Sequence, residues 1–362
     1  MPTQSPNGTA TPGVRAARPS LAVDGQDKAD LAQGLVELLI HENAEGLYRC
    51  EATFGNWGTV NNRIDFLYFD RAVLDFGKSF VVKVGTDTVF DGRITALEAV
   101  FPEGNPPRLV VLVEDRLQDL RMTRRTRTFT DMSDADVASQ LAGDHGLTPS
   151  VDAQGPSHKV LAQLNRSDLA FLRDRARSVD AELWIDGRTL HMQAHARRAG
   201  SPVQLTYGKE LHSFSVLADL AHQRTSVTVS GWDVQSKSAL HEDASDSAIR
   251  GELGSDVSGS STLQSSLGVR KETLAHTVPL TSDEARAAAE AHFKSIARRF
   301  VVGHGVADTT SSLRVGASVD LRGLGPLFSG TYYLSEVRTR FDGVHGLRSE
   351  LIAERAGLGQ AA

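Results

Sequence analysis

A chain of 362 residues with a formal charge of −6, 40% hydrophobic residues and one cysteine is longer than a single core usually serves, so two to four domains are expected. The lone cysteine excludes an internal disulfide framework, and the negative balance argues against a sequence-specific nucleic-acid binder. No apolar run reaches the roughly 18 residues of a membrane span, and the N-terminus lacks the apolar core of a secretory signal. Both point to folding in a reducing cytoplasm without membrane insertion.

Residues 1–34 open with Pro, Gly, Thr, Ser and Ala and read as a flexible arm. From Leu35, short runs of alternating apolar residues follow one another: Leu35 to Ile40, Tyr48 to Phe54, Ile64 to Phe69, Phe80 to Val84, Thr88 to Ile94 and Leu109 to Glu114. Gly, Asp and Pro separate them, which is the spacing of an antiparallel barrel or sandwich. Cys50 alternates with Tyr48, Ala52 and Phe54 and reads as a buried thiol.

The character changes at Asp115. Five arginines (Arg116, Arg121, Arg124, Arg125 and Arg127) surround Leu117 and Leu120. Their readings are a solvated surface, an intersubunit contact or, least favoured, a nucleic-acid patch. Ser133 to Asp136 spells a capping box with Met132 as a staple, and a second helix starts near Asn165 or Ser167. A hairpin then turns at Asp186 and Gly187, so residues 115–202 form a mixed α/β insert.

Strand character returns at Val203 to Tyr207, Leu211 to Val216 and Thr225 to Asp233. Between Gln235 and Thr273 lie ten serines, four glycines and no aromatic residue; this reads as a long surface excursion that orders only on assembly. Thr281 and Glu284 spell another capping box ahead of a helix to about Phe300. The closing strands run from Val301 to Arg355. In the last hairpin Tyr333, Val337 and Phe341 are expected on one face and Glu336, Arg338 and Arg340 on the other.

No arrangement of chemistry-bearing residues stands out. Of twelve histidines, His191 and His195 are close in sequence, but four residues of strand span about 13 Å, too far to share an ion. His222, His241 and His276 have no regularly spaced partner, and His304 sits between Gly303 and Gly305, which read as a tight strand entry. There is no Gly-x-Ser-x-Gly elbow and no phosphate loop. The acidic pairs Asp134 and Asp136, and Asp283 and Glu284, are accounted for by helix capping. The reading is therefore not an enzyme, with no catalytic, cofactor-binding or metal residue and no cofactor. Trp57 and Trp184 read as partly buried anchors.

Four runs in order carry a resemblance. They are Asp115 to Leu120 leading to Arg127, Thr128 and Phe129; Asn165 to Leu172; Val227 to Asp233; and Gly316 to Leu321 continuing through Phe328 to Tyr333 and on to Phe341. Over residues 35–355 the chain resembles the phage late-control D family, the tail-hub fold shared with the N-terminal region of type VI secretion spike proteins. The resemblance implies a mainly β fold with an α/β insert and two tube-like antiparallel β-barrels that form a pseudo-sixfold ring in a homotrimer. The first barrel would span residues 35–114 plus 203–220, the second 221–355 with the excursion 235–273, and 356–362 would be a tail. It further implies a structural hub at the centre of a contractile baseplate, matching a sixfold inner tube above to a separate threefold spike below, among surrounding baseplate proteins. The alternatives are a tail-associated peptidoglycan hydrolase, which needs a cleft with two carboxyls of split pKa, and a carbohydrate-binding adhesion module, which needs an exposed aromatic platform.

Overall fold

The computed structural model describes residues 18–198, 200–233, 236–274 and 279–359. Its first half contains β1 (Ser20–Val23), β2 (Leu35–Asn43), β3 (Arg49–Gly55), β4 (Ser79–Val84), β5 (Asp87–Val100) and β6 (Arg108–Glu114). The insert contains β7 (Arg124–Ser133), α1 (Asp134–Asp144), β8 (Thr148–Asp152), β9 (Ser157–Ser167), α2 (Asp168–Ser178), β10 (Ala181–Asp186) and β11 (Thr189–Ala194). The remainder brings β12 (Leu211–Ala218), β13 (Ser226–Asp233), β14 (Ser238–Ser245), α3 (Gly259–Leu267), β15 (Lys271–Leu274) and α4 (Ser282–Arg298). It closes with β16 (Val301–Asp308), β17 (Ser318–Arg322), β18 (Gly330–Asp342) and β19 (Gly346–Arg355).

One 13-stranded sheet dominates, in the order β12, β16, β19, β18, β2, β3, β6, β5, β4, β1, ending on the two-residue strand Gln26–Asp27, with β17 and Val203–Thr206 branching from β18 as its other two strands. The pairing of β18 with β2, which sets Arg338 opposite His41 and Phe341 opposite Leu38, joins the two halves of the chain into a single sheet. The end strand Gln26–Asp27 pairs with β1 alone among the described residues, and β12 pairs along its length with β16 and meets the other side of the chain only through a single bridge from Leu211 to Tyr207. The sheet is open, which overturns the expected pair of closed tube-like barrels and the pseudo-sixfold ring built from them. The fold is mixed β/α with several sheets. Alternating burial tells which face of a strand is covered, and it carries no information on whether a sheet closes.

Both cores of this sheet lie on its one covered face. Leu38, Ile40, Cys50, Ala52, Phe54 and Phe341 belong to the first, and Val337, Leu334, Leu351 and Ala353 to the second. Val337 and Phe341 are four residues apart on β18, so the same strand face serves both. The expected phase of β18 holds from Val337 onward. A register shift between Leu334 and Glu336 reverses it upstream, so Tyr332 and Leu334 point into the core.

Ordered elements begin at Ser20, ahead of the periodic pattern, because β1 pairs with β4. Residues 1–17 of the expected arm lie outside the described residues. The serine-rich stretch is also built of regular elements: β14 pairs along β13, and Ser258 caps α3 through the Ser261 N–H at 3.0 Å. α4 lays Ala285, Ala289, Phe293 and Ala297 on this small sheet, a stripe at helical spacing whose small residues permit close approach.

Candidate functional site

The strongest polar cluster is centred on Glu182 of β10. Its carboxylate accepts from His195 Nδ1 at 2.8 Å, Arg198 Nη1 at 2.6 Å and the Tyr333 hydroxyl at 2.5 Å. Burial pushes the carboxyl up, but these donors outweigh it and bring Glu182 down to about 2. Arg198 also donates to the Tyr48 hydroxyl at 2.5 Å and lies over Trp184 at 4.1 Å. Room for its stem comes from Gly316, whose φ is +90° and whose Cβ, if present, would fall 2.2 Å from Arg198 Nε. Nearby, buried Glu42 accepts from Arg314 Nε at 2.5 Å and the Val315 N–H at 3.1 Å.

Two further clusters bind the insert to α4. His158 meets Glu284 at 2.7 Å through Nδ1 and Asp134 at 3.1 Å through Nε2, while Arg175 braces Asp134 from the other side. Burial pulls the imidazole down, but the two carboxylates outweigh it and raise His158 to about 9. Arg298 spans Asp180 at 2.8 Å and Glu252 at 2.6 Å. These are closed ionic networks in which each acid already holds its donors, an arrangement that cross-links structure and leaves no group poised to accept a substrate proton.

No group of three or more His, Cys, Asp or Glu able to hold a metal ion occurs among the described residues. His191 stacks on Trp184 with ring centres 4.7 Å apart, whereas His195 serves Glu182, so the two have separate surroundings. His276 lies outside the described residues. Gly303 and Gly305 make room for the Phe214 ring, which a Cβ at 303 would meet at 2.1 Å, and this explains the glycines flanking His304 without a site there. Asp115 is pushed by burial up to about 7, but its two oxygens already accept from the Tyr48 and Leu117 N–H groups at 2.7 and 2.9 Å. The acidic pairs at helix starts cap only in part: Ser133 and Asp136 form the full box, while Asp134 is taken by His158 and Arg175. Thr281 caps α4, but Glu284 turns to the Leu280 N–H and His158.

The arginine-rich segment is largely consumed inside the chain. Arg121 makes a bidentate pair with Glu114 at 2.6 and 3.0 Å, and Arg127 reaches Asp168 at 2.7 Å, Gln163 at 2.9 Å and Asp144 at 3.1 Å. Leu117 and Leu120 are fully buried in the insert core.

What faces outward is aromatic. Trp57, expected as a partly buried anchor, is 47% exposed, and Phe101 is 63% exposed. Phe66 lies against Trp57 with centroids 5.1 Å apart and stacks on Phe69 at 4.7 Å, and Phe101 meets both phenylalanines edge-on at 6.2 and 6.0 Å. Fully buried Asn56 holds this knob by accepting the Leu67 and Tyr68 N–H groups at 2.9 and 2.8 Å. The sequence carried a usable signal here, four aromatics in loops flanking β3 and β5, but their convergence depends on the β3–β6–β5 pairing.

The chain shares its fold with solved phage tail proteins. The 43 kDa tail protein of prophage MuSo2 from Shewanella oneidensis superposes with a TM-score of 0.67 at 12% identity, over 94% of this chain and 98% of that one. The tail protein from Neisseria meningitidis MC58 gives 0.65 at 14%, over 94% and 97%. An E. coli protein described as a component of the type VI secretion system, with structural similarity to T4 bacteriophage tail proteins gp27 and gp5, gives 0.56 at 12%, over 90% and 76%. In sequence the chain belongs to the Alg8 N-terminal domain family, which it matches over residues 20–342. No curated protein matches it significantly.

Proposed function

We propose that this chain is a structural, non-catalytic hub component of a phage tail or type VI-like injection apparatus. The observation that carries this reading is the likeness to two tail proteins over 94% of this chain and nearly all of theirs. Its chemistry agrees: the ionic clusters brace the fold, and the exposed aromatic knob is the kind of surface an assembly covers. The finer proposal is a homotrimer between a sixfold inner tube above and a separate threefold spike below, held by surrounding baseplate proteins. The chain would divide into residues 35–114 with 203–220, the insert 115–202 and residues 221–355. No helix among the described residues is long and apolar enough to cross a membrane, and we place assembly in the bacterial cytoplasm, before the particle is complete.

Imaging of the assembled particle at side-chain resolution tests this. Three copies at the junction of tube and spike are expected. One copy, or density elsewhere in the particle, overturns the hub reading. The exposed Trp57 and Phe101 favour one second reading, a carbohydrate-binding adhesion module. The knob's rings meet mostly edge to face, at 63° to 88°, and so offer a sugar no flat platform. Retention of the chain on cell-wall polysaccharide, lost on Trp57→Ala, would restore that reading.

A further inference from the structure

The apolar core of the insert closes on itself. Its buried members run from Leu117 to Met192, and Leu47 alone joins them from outside. The core beneath α4 is a separate set, from Val227 to Ala297 with Ala356. The insert meets the rest of the chain at two places of different kind: on the sheet side, where Trp184 also packs on the first core and Tyr333 donates to Glu182 at 2.5 Å, and at α4, where ion pairs cross.

At the first, entry and exit of the insert are tied to one residue. Asp115, where the chain enters, accepts from the Tyr48 N–H at 2.7 Å, and Arg198, where it leaves, donates to the Tyr48 hydroxyl at 2.5 Å. Arg173 reinforces the same loop through the Glu45 and Gly46 carbonyls at 2.7 and 2.8 Å. At the second, the far side of the insert touches α4 through the ion pairs His158–Glu284 and Asp180–Arg298, with Lys294 3.5 Å from Asp180. Between β9, α2 and α4 lies an open cleft of about 260 Å³ walled by Val160, Leu161, Val179 and Ala288. A boundary with a fixed strap on one side, and ion pairs beside an unfilled cleft on the other, has the build of a pivot and a latch.

We infer that the insert is a hinged body that swings away from α4 about the Tyr48 strap when the His158–Glu284 and Asp180–Arg298 latch opens. Swinging uncovers the apolar cleft while the insert's own core stays closed. The groups that face His158 are Asp134 on α1, Arg175 on α2 and Glu284 on α4. The His158 part of the latch is complete below the ordinary histidine value and is lost as pH rises through about 9.

The test is a distance measurement on the full chain, with spin labels on cysteines placed at Leu164 of β9 and Asp283 of α4; native Cys50 is fully buried and stays unlabelled. In the parent at pH 7 a short distance is expected to dominate. Combining Glu284→Gln with Asp180→Asn should shift the docked-to-swung ratio from roughly 9:1 towards 1:9, with unchanged far-UV circular dichroism. Asn is chosen because Asp180 has a φ of +54°, which Asn tolerates. An unchanged distance in that variant overturns the inference, and so does loss of the insert's secondary structure together with the longer distance. Should the double variant fail to fold, raising Asp180→Asn alone from pH 7 to pH 10 decides the matter, because only the His158 pair then holds the latch: a growing longer-distance population supports the hinge and a constant distance overturns it.

Discussion

Glu182 is a charged residue at an otherwise apolar stretch of β10, and removing its charge leaves Arg198 buried without its main partner. Glu182→Gln should therefore cost about 3–5 kcal/mol, measured by urea unfolding at pH 7. The sign with pH follows from the depressed folded value of about 2. The stabilisation is present above the ordinary glutamate value and lost as pH falls toward 2, so parent and variant should converge in acid. Gly316→Ala should cost about 1–3 kcal/mol, since it adds a side chain at positive φ and drives it into Arg198; relief of part of that cost by Arg198→Ala in a double-mutant cycle checks the cause. At this scale the sequence was half legible. Glu42 occupies the inward register after Leu38 and Ile40, and a charge at an inward position announces a buried partner. Which partner it finds was not legible, because Arg314 is 272 residues away.

Helix starts were the most legible elements, since a cap is a local bargain between a side chain and the N–H groups three residues on. Where the local reading failed, a tertiary donor had intervened, as when His158 drew Glu284 away from the second box. The phase of β18 failed for a different reason: one extra residue near Ser335 shifts the register and sends Tyr333 to Glu182, and a bulge is invisible to a period of two. The serine-rich stretch misled because its apolar residues are sparse. They are nevertheless well placed, with Leu240 and Ala244 on β14, Ile249 between β14 and α3, and Leu263 on α3 all buried. Hydrogen exchange on the free chain should accordingly show protected amides along Ser238–Ser245, and Ser258→Ala should lower stability by about 1 kcal/mol through loss of the α3 cap. Free exchange across that strand would mean that the segment waits for a partner after all.

A sheet that runs unbroken through both halves of the molecule makes the chain one scaffold, with charge fixing the insert to it and aromatic surface left over at one end of the β3–β6–β5 strands. That leftover surface separates folding from assembly. Phe54 is fully buried in the core, and Phe54→Ala should cost about 3–5 kcal/mol. Trp57 and Phe101 are already half in water, so truncating both to Ala should change stability by no more than about 1 kcal/mol. If the knob is covered in the particle, the same pair should abolish incorporation, because a desolvated aromatic anchor at the centre of an interface carries about 2 kcal/mol or more of the binding. Thermal unfolding of the purified chain and its recovery in sedimented particles, measured on one preparation, distinguish the outcomes. A fall in stability comparable to that of Phe54→Ala would make the knob part of the fold. Full incorporation with unchanged stability would mean that the assembly contacts lie elsewhere, leaving the open face of the sheet as the next surface to vary.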